Sequence, residues 1–233
     1  MTTIFWAGDS TVKQNSILTY PQTGIGQVFD RYTKRTEVQI ENHAENGRST
    51  KQFLDEGRLV PIYDRMQPGD FLFIQFGHND AKIEDPARYT DPDGEYAENL
   101  ERFVNAARNK GATPVLITPL ARRLFREPHM SHAPYANSMK RVAEKLGVAL
   151  IDLNAMSEAL VDELGEQAKD YYMNLPAGAY PHYPDGLVDN THLKPDGAMA
   201  FGALIAKGLH ELGGAYAALL CKEYEQWLKE TEK

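Results

Sequence analysis

The chain alternates between short apolar runs and longer amphipathic stretches. Five apolar runs are bounded by Gly, Pro, Asp or Asn, as is typical of buried strands: Ile4–Ala7, Val38–Ile40, Phe71–Phe76, Pro114–Ile117 and Val148–Leu153. Apolar residues at helical spacing mark three stretches between them, around Phe53–Ile62, Tyr96–Ala107 and Val142–Leu146. Strands that alternate with helices predict right-handed crossovers and a parallel sheet covered on both faces. We therefore expect one doubly wound α/β domain with a five-stranded parallel sheet.

No repeat, low-complexity tract or linker divides the sequence, so the domain is expected to span residues 1–233. Residues 197–233 are predicted to form one or two helices, with a helical extension from about residue 214. The segment Tyr171–Asn190 is rich in Pro, Gly and Tyr, and it is expected to be a long ordered loop.

Polar residues and glycines follow four of the predicted strands. They form the segments Gly8–Thr11, Asn46–Ser49, Gly77–Asp80 and Thr118–Arg123. In a doubly wound sheet, ligands bind outside the carboxyl ends of the strands. The four segments are therefore expected to meet at one rim, which is the principal indication of an active site.

These segments contain the groups that acyl transfer needs, namely a nucleophile, a base, a group that orients the base and oxyanion donors. Ser10 follows the first strand, although a serine there often only caps the next helix. Asp189 and His192 lie three residues apart on one predicted turn, so the carboxylate can reach one imidazole nitrogen and leave the other for Ser10. Gly47 could donate a backbone N–H and Asn79 a side-chain N–H, although both residue types are also common in ordinary turns.

The order of these blocks resembles the SGNH (GDSL-type) hydrolase superfamily. The resemblance implies a three-layer, flavodoxin-like fold. It also implies that Ser10, Asp189 and His192 are the catalytic triad and that Ser10, Gly47 and Asn79 form the oxyanion hole. Within the superfamily, the chain is most similar to rhamnogalacturonan acetylesterases, through Gly8-Asp9-Ser10-Thr11, Asn46-Gly47-Arg48-Ser49, Phe76-Gly77-His78-Asn79-Asp80 and Asp189-x-Thr191-His192. One departure is Gly24-Ile25-Gly26, where Gly-Trp-Gly is expected in the local substrate wall.

Three functions are compatible with these observations. The first is a serine esterase that removes O-acetyl groups from pectin-derived rhamnogalacturonan fragments. The second is a lipase or thioesterase of the same superfamily, or an acetylesterase for another carbohydrate such as xylan. The third is a non-catalytic carbohydrate-binding module, which the complete set of catalytic residue types disfavours. An ordinary lipase elbow, Gly-x-Ser-x-Gly, is absent around Ser10 and Ser49, and no Gly-x-Gly-x-x-Gly follows the first strand.

Composition and charge limit the classes of partner and the cellular compartment that we expect for this protein. A net charge of −8 disfavours nucleic acid as a partner, since phosphate neutralisation needs a basic face. No apolar run approaches the length of a membrane helix. The single cysteine, Cys221, suits a reducing compartment. The N-terminus lacks the features of a signal peptide, so a cytoplasmic location is expected, or a secreted one if a signal peptide was removed. The pattern does not predict an oligomeric state.

No cofactor is expected. A metal site built from His78, Asp80, Asp189 and His192, or from His129 and His132, is a weaker alternative, since neither spacing matches a helical metal motif. Pectic substrates carry galacturonate carboxylates, so the cleft of this acidic protein should contain a local cation. Residues predicted to contact substrate are Arg48, His78, Arg122 and Arg123, and at least one of the three arginines is expected to favour acidic oligosaccharides.

Overall fold

Five parallel strands form the central sheet in the order β2-β1-β3-β4-β5. The computed structural model describes residues 1–123, 132–222 and 224. The strands of the sheet are β1 (Thr2–Gly8), β2 (Val38–Asn42), β3 (Phe71–Gln75), β4 (Thr113–Ile117) and β5 (Ala149–Ile151). Each predicted strand is present, and the order is that of a flavodoxin-like fold. The expected five-stranded parallel sheet is confirmed.

Helices cover both faces of the sheet. Their bounds are α1 (Ile25–Val28), α2 (Thr50–Asp55), α3 (Leu59–Arg65), α4 (Glu95–Asn109), α5 (Ala133–Leu146), α6 (Leu153–Leu164), α7 (Pro195–Leu212) and α8 (Gly214–Ala217). Short 3₁₀ helices span Ile17–Thr19, Phe29–Tyr32 and Gly165–Asp170. Among the helices of the described residues, none has the length and apolar character that crossing a membrane requires.

Successive strand residues face opposite layers, as the alternation of side chains along a strand requires. In β3, Phe71 and Phe73 belong to one buried cluster, with residues of α1, α6 and α7. Leu72 and Ile74 belong to a second cluster, with residues of α2, α3, α4 and α5. This two-sided burial explains why the strands are recognisable as continuous apolar runs.

A second, two-stranded antiparallel sheet lies in the segment that was predicted to be a long loop. It consists of β6 (Tyr172–Leu175) and β7 (Leu187–Leu193), so only residues 176–186 remain as the connecting loop. The expectation of a loop over Tyr171–Asn190 is therefore wrong. Strand β7 escaped prediction because it is mostly partly exposed and polar, so it lacks the apolar signature of a buried strand. Strand β6 is buried at three of its four positions, but it is too short to give a clear pattern.

The paired strands β6 and β7, here called the ribbon, are strongly irregular. Tyr172 pairs with Leu193 and Asn174 pairs with Val188, so the register advances two positions on β6 and five on β7. The extra residues of β7 form a bulge between Val188 and Leu193. Bulges of this kind change the direction of side chains, and they are frequent beside active sites.

The C-terminal extension expected from about residue 214 begins with the short helix α8. Its continuation lies mostly outside the described residues, as does His129. Ile25, which stands where the resemblance implies a Trp of the substrate wall, is fully buried among the core residues on the α1 side of the sheet.

Candidate active site

Ser10 lies in the turn that follows β1. The backbone N–H groups of Val12 and Lys13 both donate to the carbonyl of Asp9, which closes this turn. A hydrogen bond also joins this turn to helix α1, since the N–H of Ile25 donates to the carbonyl of Thr11 at 2.8 Å. The turn is therefore held in place by hydrogen bonds on both sides, and Ser10 is only 7% exposed.

Asp189 and His192 lie in the bulge of β7. The Oδ1 atom of Asp189 accepts hydrogen bonds from the backbone N–H groups of Thr191 at 2.8 Å and His192 at 3.0 Å. This is the local turn that the three-residue spacing predicted, but it is built into an irregular strand. It brings the carboxylate and the imidazole to the same side of the ribbon.

The imidazole of His192 connects the other two side chains. Its Nδ1 lies 2.6 Å from Oδ2 of Asp189, and its Nε2 lies 2.9 Å from Oγ of Ser10. Because an ionised carboxylate can only accept, Nδ1 carries the proton and Nε2 is left to accept from the serine hydroxyl. The structure thus brings together the three residues that the sequence proposed as a triad.

The carboxylate of Asp189 is stabilised in its charged form. Burial raises its pKa, but the hydrogen bonds and charge of His192, with the N–H of Thr191, outweigh this and lower the pKa to about 2. Asp189 is therefore ionised at neutral pH and can orient a neutral imidazole or stabilise a charged one.

Asn79 and Gly47 line the same cleft as Ser10. The side-chain N–H₂ of Asn79 donates to the carbonyl of Arg48 at 3.2 Å, which leaves its second N–H for a ligand. Within the described residues, no acceptor is bonded to the backbone N–H of Ser10 or of Gly47. Gly47 has a φ of +74°, which a residue with a Cβ rarely adopts. These three donors could receive the negative charge of an oxyanion.

Asp80 holds the segments of Gly47 and Asn79 together. Its carboxylate accepts hydrogen bonds from the N–H of Thr50 at 3.0 Å and from its hydroxyl at 2.6 Å, and also from the hydroxyl of Thr90 at 2.9 Å. Burial raises the pKa of Asp80 to about 7, although these hydrogen bonds oppose the shift. Asp80 thus positions the loop after β2 against the loop after β3.

His78 lines the cleft, but its ring nitrogens are bonded to protein groups. Nδ1 lies 3.0 Å from Oδ2 of Asp9, and Nε2 lies 2.9 Å from the carbonyl oxygen of Leu120. Burial raises the pKa of Asp9, yet the charge and hydrogen bond of His78, with hydrogen bonds from Thr11, lower it overall. Since a carboxylate and a carbonyl both only accept, both hydrogen bonds form when both ring nitrogens carry protons. This buried pair directly underlies the Ser10 turn.

The three arginines predicted to contact substrate differ in position. Arg122 lines the cleft, and its Nε donates to the hydroxyl of Thr191 at 2.9 Å. Arg48 and Arg123 are not part of the cleft lining. The guanidinium of Arg48 pairs with Glu56 through contacts of 3.0 Å, and that of Arg123 lies 3.0 Å from Glu166.

The fold does not bring a cluster of metal ligands together among the described residues. No group of three or more His, Cys, Asp and Glu side chains within residues 1–123, 132–222 and 224 is arranged to hold a metal ion. His132 lines the cleft beside His78, with ring centroids 4.6 Å apart. Burial, followed by the electrostatic interactions with His78 and Arg122, lowers the pKa of His132 to about 3, so its ring is neutral.

The cleft has a volume of about 650 Å³, and it includes residues that the sequence did not single out. Lys82 and Arg88 lie in the connection between β3 and α4, Gln22 lies in the loop before α1, and Asn190 lies in the bulge of β7. Lys82 follows Asn79 by three positions, so its place a few residues beyond the end of β3 is a sequence signal for it. Arg88 carries no such signal, because only the path of the loop brings it back to the cleft.

The chain is similar to known proteins over most of its length. A family model described as the GDSL-like Lipase/Acylhydrolase family matches residues 7–200. The chain is 41% identical over 214 residues to "Rhamnogalacturonan acetylesterase RhgT" of Bacillus subtilis (strain 168), covering 90% of each chain. It is 39% identical over 222 residues to "Probable rhamnogalacturonan acetylesterase YesY" of the same organism, covering 94% of this chain and 98% of the relative.

A solved structure shares the fold at low sequence identity. The crystal structure of Axe2, an acetylxylan esterase from Geobacillus stearothermophilus, superposes with a TM-score of 0.63 at 14% identity, covering 89% of this chain and 93% of that one. The family match spans most of the chain, including the turn of Ser10 and the bulge of His192. On this basis, the chain belongs to the GDSL-like lipase/acylhydrolase family.

Proposed function

We propose that this protein is a serine esterase that removes O-acetyl groups from rhamnogalacturonan fragments, with Ser10, His192 and Asp189 as its catalytic triad. One observation carries the proposal: His192 lies 2.9 Å from the Ser10 hydroxyl and 2.6 Å from the Asp189 carboxylate, inside a cleft. This is the arrangement that a serine hydroxyl needs to lose its proton as it attacks.

In the first half of the reaction, Oγ of Ser10 attacks the carbonyl carbon of the acetyl group while Nε2 of His192 takes the hydroxyl proton. The carbonyl oxygen becomes an oxyanion, which accepts hydrogen bonds from the N–H groups of Ser10 and Gly47 and from the amide of Asn79. Asp189 stabilises the imidazolium. His192 then returns the proton to the sugar oxygen, and the sugar leaves with its hydroxyl restored.

In the second half, water replaces the sugar. His192 takes a proton from the water as it attacks the acetyl carbon of the acyl-enzyme, and the same donors bind the new oxyanion. Collapse of this intermediate releases acetate and returns the proton to Oγ of Ser10. The described groups therefore suffice for both halves of an ester hydrolysis.

The substrate class follows from the relatives and from the lining of the cleft. Both Bacillus subtilis relatives cover at least 90% of this chain and are named for rhamnogalacturonan acetylesterase activity. Of the described residues that line the cleft, only Leu187 and Val188 have aliphatic side chains. A lining this polar suits an acetylated sugar better than a long acyl chain, which would need an extended apolar surface.

Acetate release from three substrates tests the proposal. We expect release from acetylated rhamnogalacturonan fragments to exceed that from acetylated xylan fragments, and long-chain esters to be poor substrates. A serine-directed organophosphate should label Ser10 and leave Ser49 unmodified, as read by mass spectrometry, and Ser10→Ala should lose turnover while keeping its melting temperature. A preference for xylan would refute the substrate, and labelling of Ser49 instead of Ser10 would refute the mechanism.

A further inference from the structure

Two cationic side chains line the cleft from the connection between β3 and α4. They are Lys82 and Arg88, neither of which directly follows a strand. A Cβ placed on Gly47 would lie 3.7 Å from the central carbon and one terminal nitrogen of the Arg88 guanidinium, and 3.8 Å from the other. Arg88 therefore packs directly against the backbone that offers one of the proposed oxyanion donors.

The charges of this pair are only partly balanced. Nε of Arg88 lies 3.0 Å from a carboxylate oxygen of Asp85. Its two terminal nitrogens have no hydrogen-bond acceptor within the described residues, and the ammonium of Lys82 has neither an ion pair nor a hydrogen bond there. Asp189 is the one carboxylate among the described residues lining the cleft, and His192 engages it. This cleft is thus locally positive in a chain with a net charge of −8.

We infer that Lys82 and Arg88 form a subsite for a uronate carboxylate of the substrate. The inference rests on the proposed function, since rhamnogalacturonan fragments carry a carboxylate on each galacturonate residue. The two terminal nitrogens of a guanidinium match the two oxygens of a carboxylate, and an ammonium adds a second, more flexible donor. Because Arg88 lies against Gly47, the carboxylate it binds is close to the acetyl group under attack.

This assignment differs from the one that the sequence suggested. Arg48 adjoins Gly47 in the chain, but its guanidinium already has the carboxylate of Glu56 as a partner. Arg88 is far away in the sequence and reaches the same glycine through space. A carboxylate on the substrate would therefore meet Arg88 and Lys82 before it met Arg48.

Binding measured in the Ser10→Ala background tests the subsite without turnover. Isothermal titration calorimetry would compare deacetylated rhamnogalacturonan fragments with the same fragments after chemical reduction of their carboxyl groups. The Ser10→Ala protein should prefer the acidic fragments. Adding Arg88→Gln or Lys82→Gln should weaken their binding roughly tenfold, as expected for loss of a charge-assisted hydrogen bond, and reduce the preference. Lys207→Gln removes the same charge from α7 and should keep the full preference.

The possible results separate the subsite from the proposed function. Unchanged affinity of Arg88→Gln and Lys82→Gln for acidic fragments would overturn the subsite, as would an equal loss for acidic and carboxyl-reduced fragments. If the unsubstituted protein releases acetate from rhamnogalacturonan but Ser10→Ala shows no preference for carboxylates, the subsite fails and the function stands. If the preference is present and depends on Arg88 but no acetate is released, the subsite stands and the function fails.

Discussion

Replacing Asp189 by asparagine should reverse the tautomer of His192. The Oδ1 atom of the new side chain can still accept from the N–H groups of Thr191 and His192, as the carboxylate does. Its N–H₂ then takes the place of Oδ2, 2.6 Å from Nδ1 of the imidazole. Two donors cannot share a hydrogen bond, so Nδ1 must become the acceptor and Nε2 must carry the proton. A protonated Nε2 cannot accept the proton of Ser10.

The size of the effect differs between catalysis and stability. We expect kcat to fall by about 10⁴, as for loss of the orienting carboxylate in other serine triads. The pKa of Asp189 falls from 3.8 to about 2 in the folded protein, which is worth roughly 2 kcal/mol at about 1.4 kcal/mol per unit. This contribution is present above pH 3.8 and is lost as the pH falls through about 2. At pH 7, Asp189→Asn should therefore lower Tm by at most about 4–8 °C.

Turnover of 4-nitrophenyl acetate and thermal melts at pH 7 and pH 3 would measure both effects. Asp185→Asn is the matched control, since it removes one charge from an exposed position in the loop that joins β6 to β7. A kcat for Asp189→Asn within tenfold of the wild-type value would refute the tautomer argument. A stability loss that is as large at pH 3 as at pH 7 would show that the carboxylate charge is not its cause.

Three further predictions test the surroundings of the triad. Asn79→Ala should lower kcat roughly 10²–10³-fold with little change in KM, because its hydrogen bond strengthens in the transition state; unchanged steady-state kinetics would contradict this. Since burial raises the pKa of Asp80 to about 7, its contribution to stability is complete below pH 3.8 and is lost as the pH rises through 7. The free energy of unfolding in urea should thus fall for the wild type relative to Asp80→Asn between pH 4 and pH 8. A difference between the two proteins that stays constant with pH would refute the raised pKa of Asp80. Gly24→Ala would place a Cβ 2.2 Å from the carbonyl oxygen of Lys13 and should cost roughly 3 kcal/mol in urea unfolding. Gly178→Ala meets no atom within 4 Å and is strained only by its φ of +75°, so it should cost clearly less; equal losses would show that the close approach at Gly24 does not matter.

The sequence predicted the main sheet well and the ribbon poorly, for a physical reason. Strands buried on both faces must be apolar at every position, so their signal is continuous. Strand β7 of the ribbon is only partly buried, and its bulge consists of polar residues whose positions depend on tertiary contacts. The sequence pattern does not reveal where helix α6 begins, because the apolar run of β5 continues to Leu153. In the structure the strand ends at Ile151, and Asp152 caps the helix.

The residues of the candidate site also divide into those that the sequence predicts and those that it does not. Groups that directly follow a strand, such as Ser10 and Asn79, were predictable because parallel strands deliver their ends to one edge of the sheet. The direction of a long side chain was not predictable in this way. Arg48 turns to Glu56 and away from the cleft, whereas Arg88 is brought to it by a loop whose path the sequence pattern does not specify.

The bulged ribbon has a consequence for how activity would be lost. Ser10 follows β1 at the carboxyl-terminal edge of the central sheet, while Asp189 and His192 belong to the ribbon. Hydrogen bonds such as those from Thr23 to Leu193 and from Arg123 to Asn190 join the two bodies. Shifting the ribbon by about an ångström against the central sheet would separate His192 from Ser10 while the strand pairing of that sheet stays intact. Turnover therefore depends on how the central sheet and the ribbon are aligned. It should be lost at a lower denaturant concentration than the one at which the central sheet unfolds.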